Sequence, residues 1–226
     1  AFNRSRQVSE RLSKGVGFLM NKNNIDVHMG TANIKVRNTV VVTDANGKTN
    51  ELKAKNIVVA TGASVAVPPG WTIDGKKVVT YLEAILQDAL PKSAIIIGAG
   101  AIGMEFATIW NSYGVAVTLV EMRPRLLPLE DEEVGAEMAK AYGKRNITIL
   151  TGHKVQNIQA TDAGVKVVVS DEKGEKTLEA EQALVAIGFR PNGRGLGLEE
   201  IGVRLSERGA VEIDERMATN VPGIWA

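Results

Sequence analysis

The stretch Ala94-Ile95-Ile96-Ile97-Gly98-Ala99-Gly100-Ala101-Ile102-Gly103 joins a wholly apolar run to a glycine-spaced turn and then to a helical pattern, Ala101–Tyr113. Unbroken apolar residues suit a strand buried on both faces of a parallel sheet, where polar alternation is not needed. When G-x-G-x-x-G follows such a strand and opens a helix, each glycine has a mechanical task. Gly98 permits the tight turn, Gly100 lets a pyrophosphate reach the backbone, and Gly103 lets the helix pack on the strand. Ala99, Ala101 and Ile102 complete the loop and helix start, whose unpaired N–H groups favour phosphate. A second apolar run, Val115–Val120, ends in Glu121. A carboxylate at that strand tip accepts both ribose hydroxyls of NAD and repels the 2′-phosphate of NADP. Arg123 and Arg125 follow and are the cations able to hold such a phosphate; the acid at the tip itself favours NAD.

Outward from this unit, Glu130–Lys144 reads as a helix, acidic first and basic last as its dipole prefers, and Ile147–Leu150 as a third strand. This βαβαβ order is half of a doubly wound α/β sheet. Residues 153–187 then change to period two, with Val155–Ile158, Val165–Val169 and Leu178–Ile187 separated by turns. They predict an antiparallel excursion and a return strand. Upstream, Val8, Leu12, Val16, Leu19 and Met20 fall at helical spacing, so residues 4–22 predict an amphipathic helix. The Gly15-Val16-Gly17 within it follows no strand and is no nucleotide turn. Short strands are expected at Ile25–His28, Ala32–Val36, Thr39–Thr43 and Glu51–Ala60, the last ending in a buried run, and a helix at Tyr81–Leu90 before Pro91. Pro68-Pro69 marks a domain crossing. Gly193–Gly197 has the wrong spacing for a phosphate loop and reads as a surface turn. Two further short strands are expected near Val211–Ile213 and Ile224–Ala226.

Composition is that of a globular chain, 44% apolar and 23% charged over 226 residues, enough to bury a core. With 27 basic against 26 acidic side chains, nothing recommends nucleic acid or an anionic membrane as a partner. The basic residues among positions 1–24 read as a solvated helix face. The chain has no cysteine, which excludes a disulfide, a thiolate metal site or a cysteine nucleophile within it. His28 and His153 are far apart, without metal-ligand spacing, and read as strand-edge side chains; no metal is expected. No apolar run is long enough to span a bilayer, and a cytoplasmic location is the default expectation.

The runs IIIGAGAIGMEFA, VTLVEMRPRLLP, ALVAIGFRPN and TNVPGIWA, in that order, together resemble the pyridine nucleotide–disulfide oxidoreductases. The likeness extends over the whole chain and includes GTA near residue 31 and VVATGA near residue 61. It implies an α/β fold: a Rossmann-like NAD domain of three-layer ββα organisation, plus part of a flavin-binding domain. The implied division is residues 1–66 as the end of a first FAD segment, 67–188 as the NAD domain, and 189–226 as a return to the FAD domain. The resemblance further implies that Glu105 lies near the nicotinamide, that Val155 lines the adenine pocket, and that Gly188 meets the nicotinamide side of NAD. It implies FAD contacts at Thr61, Gly62 and Ala63, a backbone contact to the flavin adenine at Ala32, and a place near the dinucleotides for Arg190.

Within the family, the likeness is to members that oxidise dihydrolipoyl groups through a disulfide and FAD and pass a hydride to NAD+. It implies lipoyl domains of 2-oxoacid dehydrogenase complexes or of the glycine cleavage system as partners, and a homodimer. The family's first FAD fingerprint, its redox-active cysteine pair and its His–Glu base have no counterpart in this sequence. The chain starts without Met and stops at Ala226 on an apolar run. It is therefore expected to be an internal piece with no catalytic residue of its own. The alternatives are another flavin disulfide reductase, of mercuric or glutathione reductase type, or a non-catalytic NAD-binding module.

Overall fold

A computed structural model describes residues 2–226. The chain forms two compact units: one holds the residues up to Ser64 together with Arg190–Ala226, the other Val65–Phe189.

In the first unit, α1 (Phe2–Lys22) is a two-faced helix as its spacing predicts, but none of its residues is buried. The antiparallel meander β1 (Thr31–Val36), β2 (Thr39–Thr43) and β3 (Thr49–Lys53) follows. Strand β4 (Ile57–Val58) leads to β5 (Ala63–Val65), where the chain leaves the unit.

Three expectations here are corrected. Ile25–His28 is not a strand: Ile25 and Val27 are exposed and no neighbouring strand pairs with them among the described residues. Ile25-Asp26-Val27-His28 alternates as a strand does, but a strand needs a partner for its backbone groups. Glu51–Ala60 is interrupted after Lys53 because Ala54 N–H turns to the Asn38 carbonyl at 2.9 Å. Its second part is not a buried run, since Val58 is 71% exposed.

The second unit begins with β6 (Val78–Val79) and α2 (Tyr81–Ala84). This helix is much shorter than the apolar pattern suggests. Leu86 and Leu90 stay exposed, so nothing packs against a continuation, and short helices depend on such packing. Then come β7 (Ser93–Ile97), α3 (Ala101–Ser112), β8 (Ala116–Val120), α4 (Glu132–Lys144) and β9 (Thr148–Leu150). The antiparallel β10 (Lys154–Ala160), β11 (Val165–Asp171) and β12 (Gly174–Ala180) precede the return strand β13 (Gln182–Val185). Strand β14 (Phe189–Pro191) leaves the unit.

The parallel sheet has the order β6-β13-β7-β8-β9. Because strand side chains alternate between faces, the apolar run of β7 feeds two cores. Ala94 and Ile96 join Met104, Ala107 and Trp110 of α3 and Tyr142 of α4. Ile95 and Ile97 join Val165, Val167 and Val169 of β11. The layers are therefore helices, parallel sheet and antiparallel sheet, the ββα arrangement. Each fully buried isoleucine contributes about 1.5–3 kcal/mol. Both faces are apolar because both are covered.

Back in the first unit, β15 (Ile224–Trp225) pairs in parallel with β4. The strand expected at Val211–Ile213 is only a single bridge, Leu205 to Val211. Gly193–Gly197 is a turn with an exposed tip, Arg194-Gly195, but its ends are packed: Gly193 and Gly197 are buried, and a Cβ on Gly197 would overlap the Ile34 carbonyl oxygen. Ile34 N–H donates to the Leu196 carbonyl at 2.7 Å, seating the turn on β1. Close approach of two backbones explains Gly193 and Gly197, and a left-handed φ of +77° and +79° explains Gly195 and adds to the need at Gly197.

Candidate nucleotide-binding site

The sheet reverses its direction of growth between β7 and β13: one neighbour of β7 is the next strand in sequence, the other is the last. The crevice at the carboxyl ends of such strands is where open α/β sheets receive ligands. Gly98 begins there. Its φ is +103° and a Cβ on it would overlap the Ala186 carbonyl oxygen at the end of β13. Gly98 N–H donates to the Val120 carbonyl at 2.8 Å, and Ala186 N–H to the Ile97 carbonyl at 2.8 Å. The turn is thus tied to both flanking strands.

The three glycines differ in what they require. A Cβ on Gly103 would overlap the Gly98 carbonyl oxygen, so packing of α3 on the turn fixes that position. A Cβ on Gly100 would meet nothing within 4 Å. No atom of the described residues within 4 Å accounts for Gly100. Gly100 is also the N-cap of α3 and supplies no side-chain cap. By contrast, Thr80 caps α2 and Asp131 caps α4. Ala101 and Ile102 form the first turn of α3, with Ala101 exposed. The leading N–H groups of α3 and its positive dipole end are free for an anion.

Glu121 is 9% exposed at the tip of β8. One carboxylate oxygen accepts Ala99 N–H and the other Arg123 N–H, both at 2.8 Å. These bonds lock the acid against the glycine turn and leave each oxygen a second acceptor position for a ribose hydroxyl. Arg125 is occupied elsewhere: its guanidinium donates to the carbonyls of Glu130 at 2.8 Å and Pro128 at 3.2 Å. Of the two arginines weighed against NAD, only Arg123 has a side chain without a hydrogen bond among the described residues.

Val155 lies on β10, half-buried against the core that holds Ile97 and Val120. Gly188 follows β13 with φ +112° and no atom in the way of a Cβ, and its carbonyl accepts Ala66 N–H at 2.9 Å. Glu105 sits on α3, exposed and without a hydrogen bond or ion pair among the described residues. The structure thus brings the glycine turn, Glu121 and the Gly188 segment to one end of one sheet.

In the other unit, Thr61, Gly62 and Ala63 are exposed on a turn held by a residue the sequence reading passed over, Asn192. Thr61 Oγ1 donates to the Asn192 carbonyl at 2.8 Å and Asn192 Nδ2 returns a bond to the Thr61 carbonyl at 3.1 Å. Asn192 N–H reaches the Gly62 carbonyl, and Ser64 Oγ reaches Asn192 Oδ1 at 2.7 Å. The GFRPN turn was visible in the sequence; its pairing with VVATGA, more than a hundred residues away, was not. Ala32 is exposed on β1 opposite Val42, and Arg190 is exposed on β14.

A parallel sheet with a G-x-G-x-x-G turn and a strand-tip acid defines a dinucleotide-binding fold of the Rossmann type. The chain belongs to the pyridine nucleotide-disulphide oxidoreductase family, whose model matches residues 2–226. It is 45% identical over 226 residues to dihydrolipoyl dehydrogenase of Mycobacterium tuberculosis, covering 100% of this chain and 48% of that protein. Dihydrolipoyl dehydrogenase of Corynebacterium glutamicum is 42% identical over 228 residues, again with 100% of this chain and 48% of the relative covered. Among solved structures, LpdA from M. tuberculosis superposes with a TM-score of 0.91 at 28% identity, covering 99% of this chain and 50% of that one. The flavoprotein disulfide reductase RclA from Escherichia coli gives 0.81 at 29% identity, covering 96% and 50%. The chain spans about half the length of the curated relatives it matches. No helix among the described residues is long and apolar enough to cross a membrane.

Proposed function

We propose that this chain is the NAD-binding part, with a portion of the FAD-binding part, of a dihydrolipoyl dehydrogenase. The observation that carries the reading is Gly100: a glycine with open space where its Cβ would be, at the uncapped start of α3 and one residue from an N–H held by Glu121. Those residues fit a dinucleotide. Ala99, Gly100, Ala101 and Ile102 would hold the pyrophosphate, Glu121 the adenosine ribose, and Val155 the adenine; Gly98 and Gly103 would shape the turn. Gly188 and Glu105 would face the nicotinamide. In the other unit, Thr61, Gly62 and Ala63, braced by Asn192, would meet FAD, with Ala32 at its adenine and Arg190 nearby. When bound, the two cofactors supply the redox chemistry, carrying electrons from a dithiol to NAD+ as hydride. The chain's own residues bind, orient and select.

The whole protein would act on lipoyl domains of a 2-oxoacid dehydrogenase complex or of the glycine cleavage system, as a cytoplasmic homodimer. The 226 residues contain no cysteine, so the dithiol–disulfide step belongs to other parts of that protein. Identities of 40–45% over essentially the whole chain to dihydrolipoyl dehydrogenases support this reading over another flavin disulfide reductase, as does the higher TM-score to LpdA, 0.91 against 0.81 for RclA. The test is an assay of dihydrolipoamide-dependent NADH formation by the full-length protein and by this chain. Turnover is expected from the first only. Turnover of glutathione disulfide or mercuric ion in its place would overturn the lipoyl reading.

A further inference from the structure

Glu121 does not stand alone at the strand tip. Its main chain is clasped by the turn after β9. Glu121 N–H donates to the Leu150 carbonyl at 2.8 Å, His153 N–H donates to the Glu121 carbonyl at 3.0 Å, and Gly152 N–H to the Arg123 carbonyl at 2.9 Å. The same turn therefore fixes both the acid that accepts ribose hydroxyls and the one arginine beside it whose side chain is unengaged.

What fixes the turn is the His153 ring. Its side chain is only 13% exposed. Nδ1 lies 2.7 Å from the Thr151 carbonyl, which can only accept. Nε2 lies at ion-pair distance, 3.3 Å, from the Asp171 carboxylate and is buried without a hydrogen-bond partner among the described residues. His153 is the position opposite Asp171 in register, one step beyond the pair Lys154–Ser170 that opens the β10–β11 ladder. The ring thus bolts the turn to a strand of the antiparallel layer. Asp171 is held in turn by Lys173 N–H at 2.9 Å, and that bond, with the positive charges of His153, Lys176 and Lys173, keeps its carboxyl below the usual range against a weaker opposing effect of burial.

We infer that His153, braced by Asp171, is a positioning residue that sets the discrimination between NAD and NADP. The inference rests on the proposed NAD site. It assigns the preference to the fixity of the Glu121 tip as well as to its charge. With the turn loosened, the Arg123 main chain loses its tether to Gly152 and with it the fixed N–H on one Glu121 oxygen; the carboxylate, left with the Ala99 bond alone, can swing away from the ribose, and Arg123 becomes the dominant charge near the 2′ position. A 2′-phosphate is then tolerated.

The test measures dissociation constants of the 226-residue chain for 5′-AMP and for adenosine 2′,5′-bisphosphate, which differ only at the 2′ position. The wild-type chain is expected to favour 5′-AMP. In His153→Gln and in Asp171→Asn the ratio of the two constants should fall about tenfold, as Arg123 rather than Glu121 becomes the dominant charge at the 2′ position. The double variant should fall no further than either single variant, because one bolt is being removed. Asp171 is partly exposed, so its variant tests the idea even if the His153 variant folds poorly. A ratio unchanged in D171N, whatever happens to thermal stability, overturns the inference, because a purely structural role moves stability and leaves 2′ selectivity alone. Failure of the wild-type chain to bind 5′-AMP, or a wild-type preference for the bisphosphate, instead overturns the NAD site on which it rests.

Discussion

Gly100 and Gly103 separate ligand binding from folding at the level of single residues. Gly100→Val places its Cβ where no atom lies within 4 Å, so stability should fall by no more than the N-cap preference, about 1 kcal/mol, while affinity for NADH falls about tenfold or more, because the phosphate and the new side chain compete for one volume. Gly103→Ala does the reverse. Its Cβ meets the Gly98 carbonyl oxygen, backbone that cannot swing aside, and the expected cost is about 1–3 kcal/mol or more of stability. Urea unfolding and NADH fluorescence titration on both variants check the pair. Loss of stability in G100V equal to that in G103A would show that the second glycine is structural after all.

At the scale of elements, two tethers carry distinct predictions. Helix α2 is held by a reciprocal cap: Thr80 Oγ1 accepts Leu82 N–H at 3.2 Å, and Glu83 accepts Thr80 N–H at 2.7 Å and Thr80 Oγ1–H at 2.6 Å. Burial works to raise the Glu83 pKa, but the Thr80 side-chain and backbone bonds prevail and hold it below its ordinary value. A carboxylate depressed in the folded state contributes stability that is fully present above its unfolded pKa and is lost as pH falls through the folded value. Denaturation curves should therefore show Glu83→Gln destabilising at neutral pH by about 1 kcal/mol, with the gap closing on acidification below the ordinary carboxylate range. A gap constant with pH would mean the cap does not depend on the charge.

The second tether joins α4 to α3: Tyr142 Oη donates to the Met104 carbonyl at 2.5 Å and lies 2.7 Å from Thr108 Oγ1. Tyr142→Phe keeps the ring and should cost about 0.5–1.5 kcal/mol in urea unfolding, with NADH affinity unchanged because the bond is made to the carbonyl of a buried residue, Met104, and not to the N–H groups that open α3.

These elements also show what was legible in the sequence. Strands β7 and β8 were readable because both of their faces are covered, which writes an unbroken apolar run, and the glycine turn was readable because its spacing and the strand before it belong to one contiguous segment. Ile25–His28 and Tyr81–Leu90 carry valid local patterns, but whether such patterns become a strand or a long helix depends on distant partners. Asn192 and the packed glycines 193 and 197 act through contacts with residues 61–64, Gly209 and Ile34 respectively, so their sequence signal is only that of a turn.

For the molecule as a whole, family membership and three-layer architecture were visible because the motifs occur in order along the entire chain. Which residues hold which cofactor is a question of ligand contact and is decided by binding. The direct measurement is a fluorescence titration of this 226-residue chain with NADH and, in parallel, with NADPH, under conditions where circular dichroism shows it folded. The account predicts saturable NADH binding that is abolished or greatly weakened in G100V, with NADPH bound at least about tenfold more weakly because of the acid at the strand tip. Absence of saturable NADH binding by the folded chain, or equal binding of the two nucleotides, would contradict it.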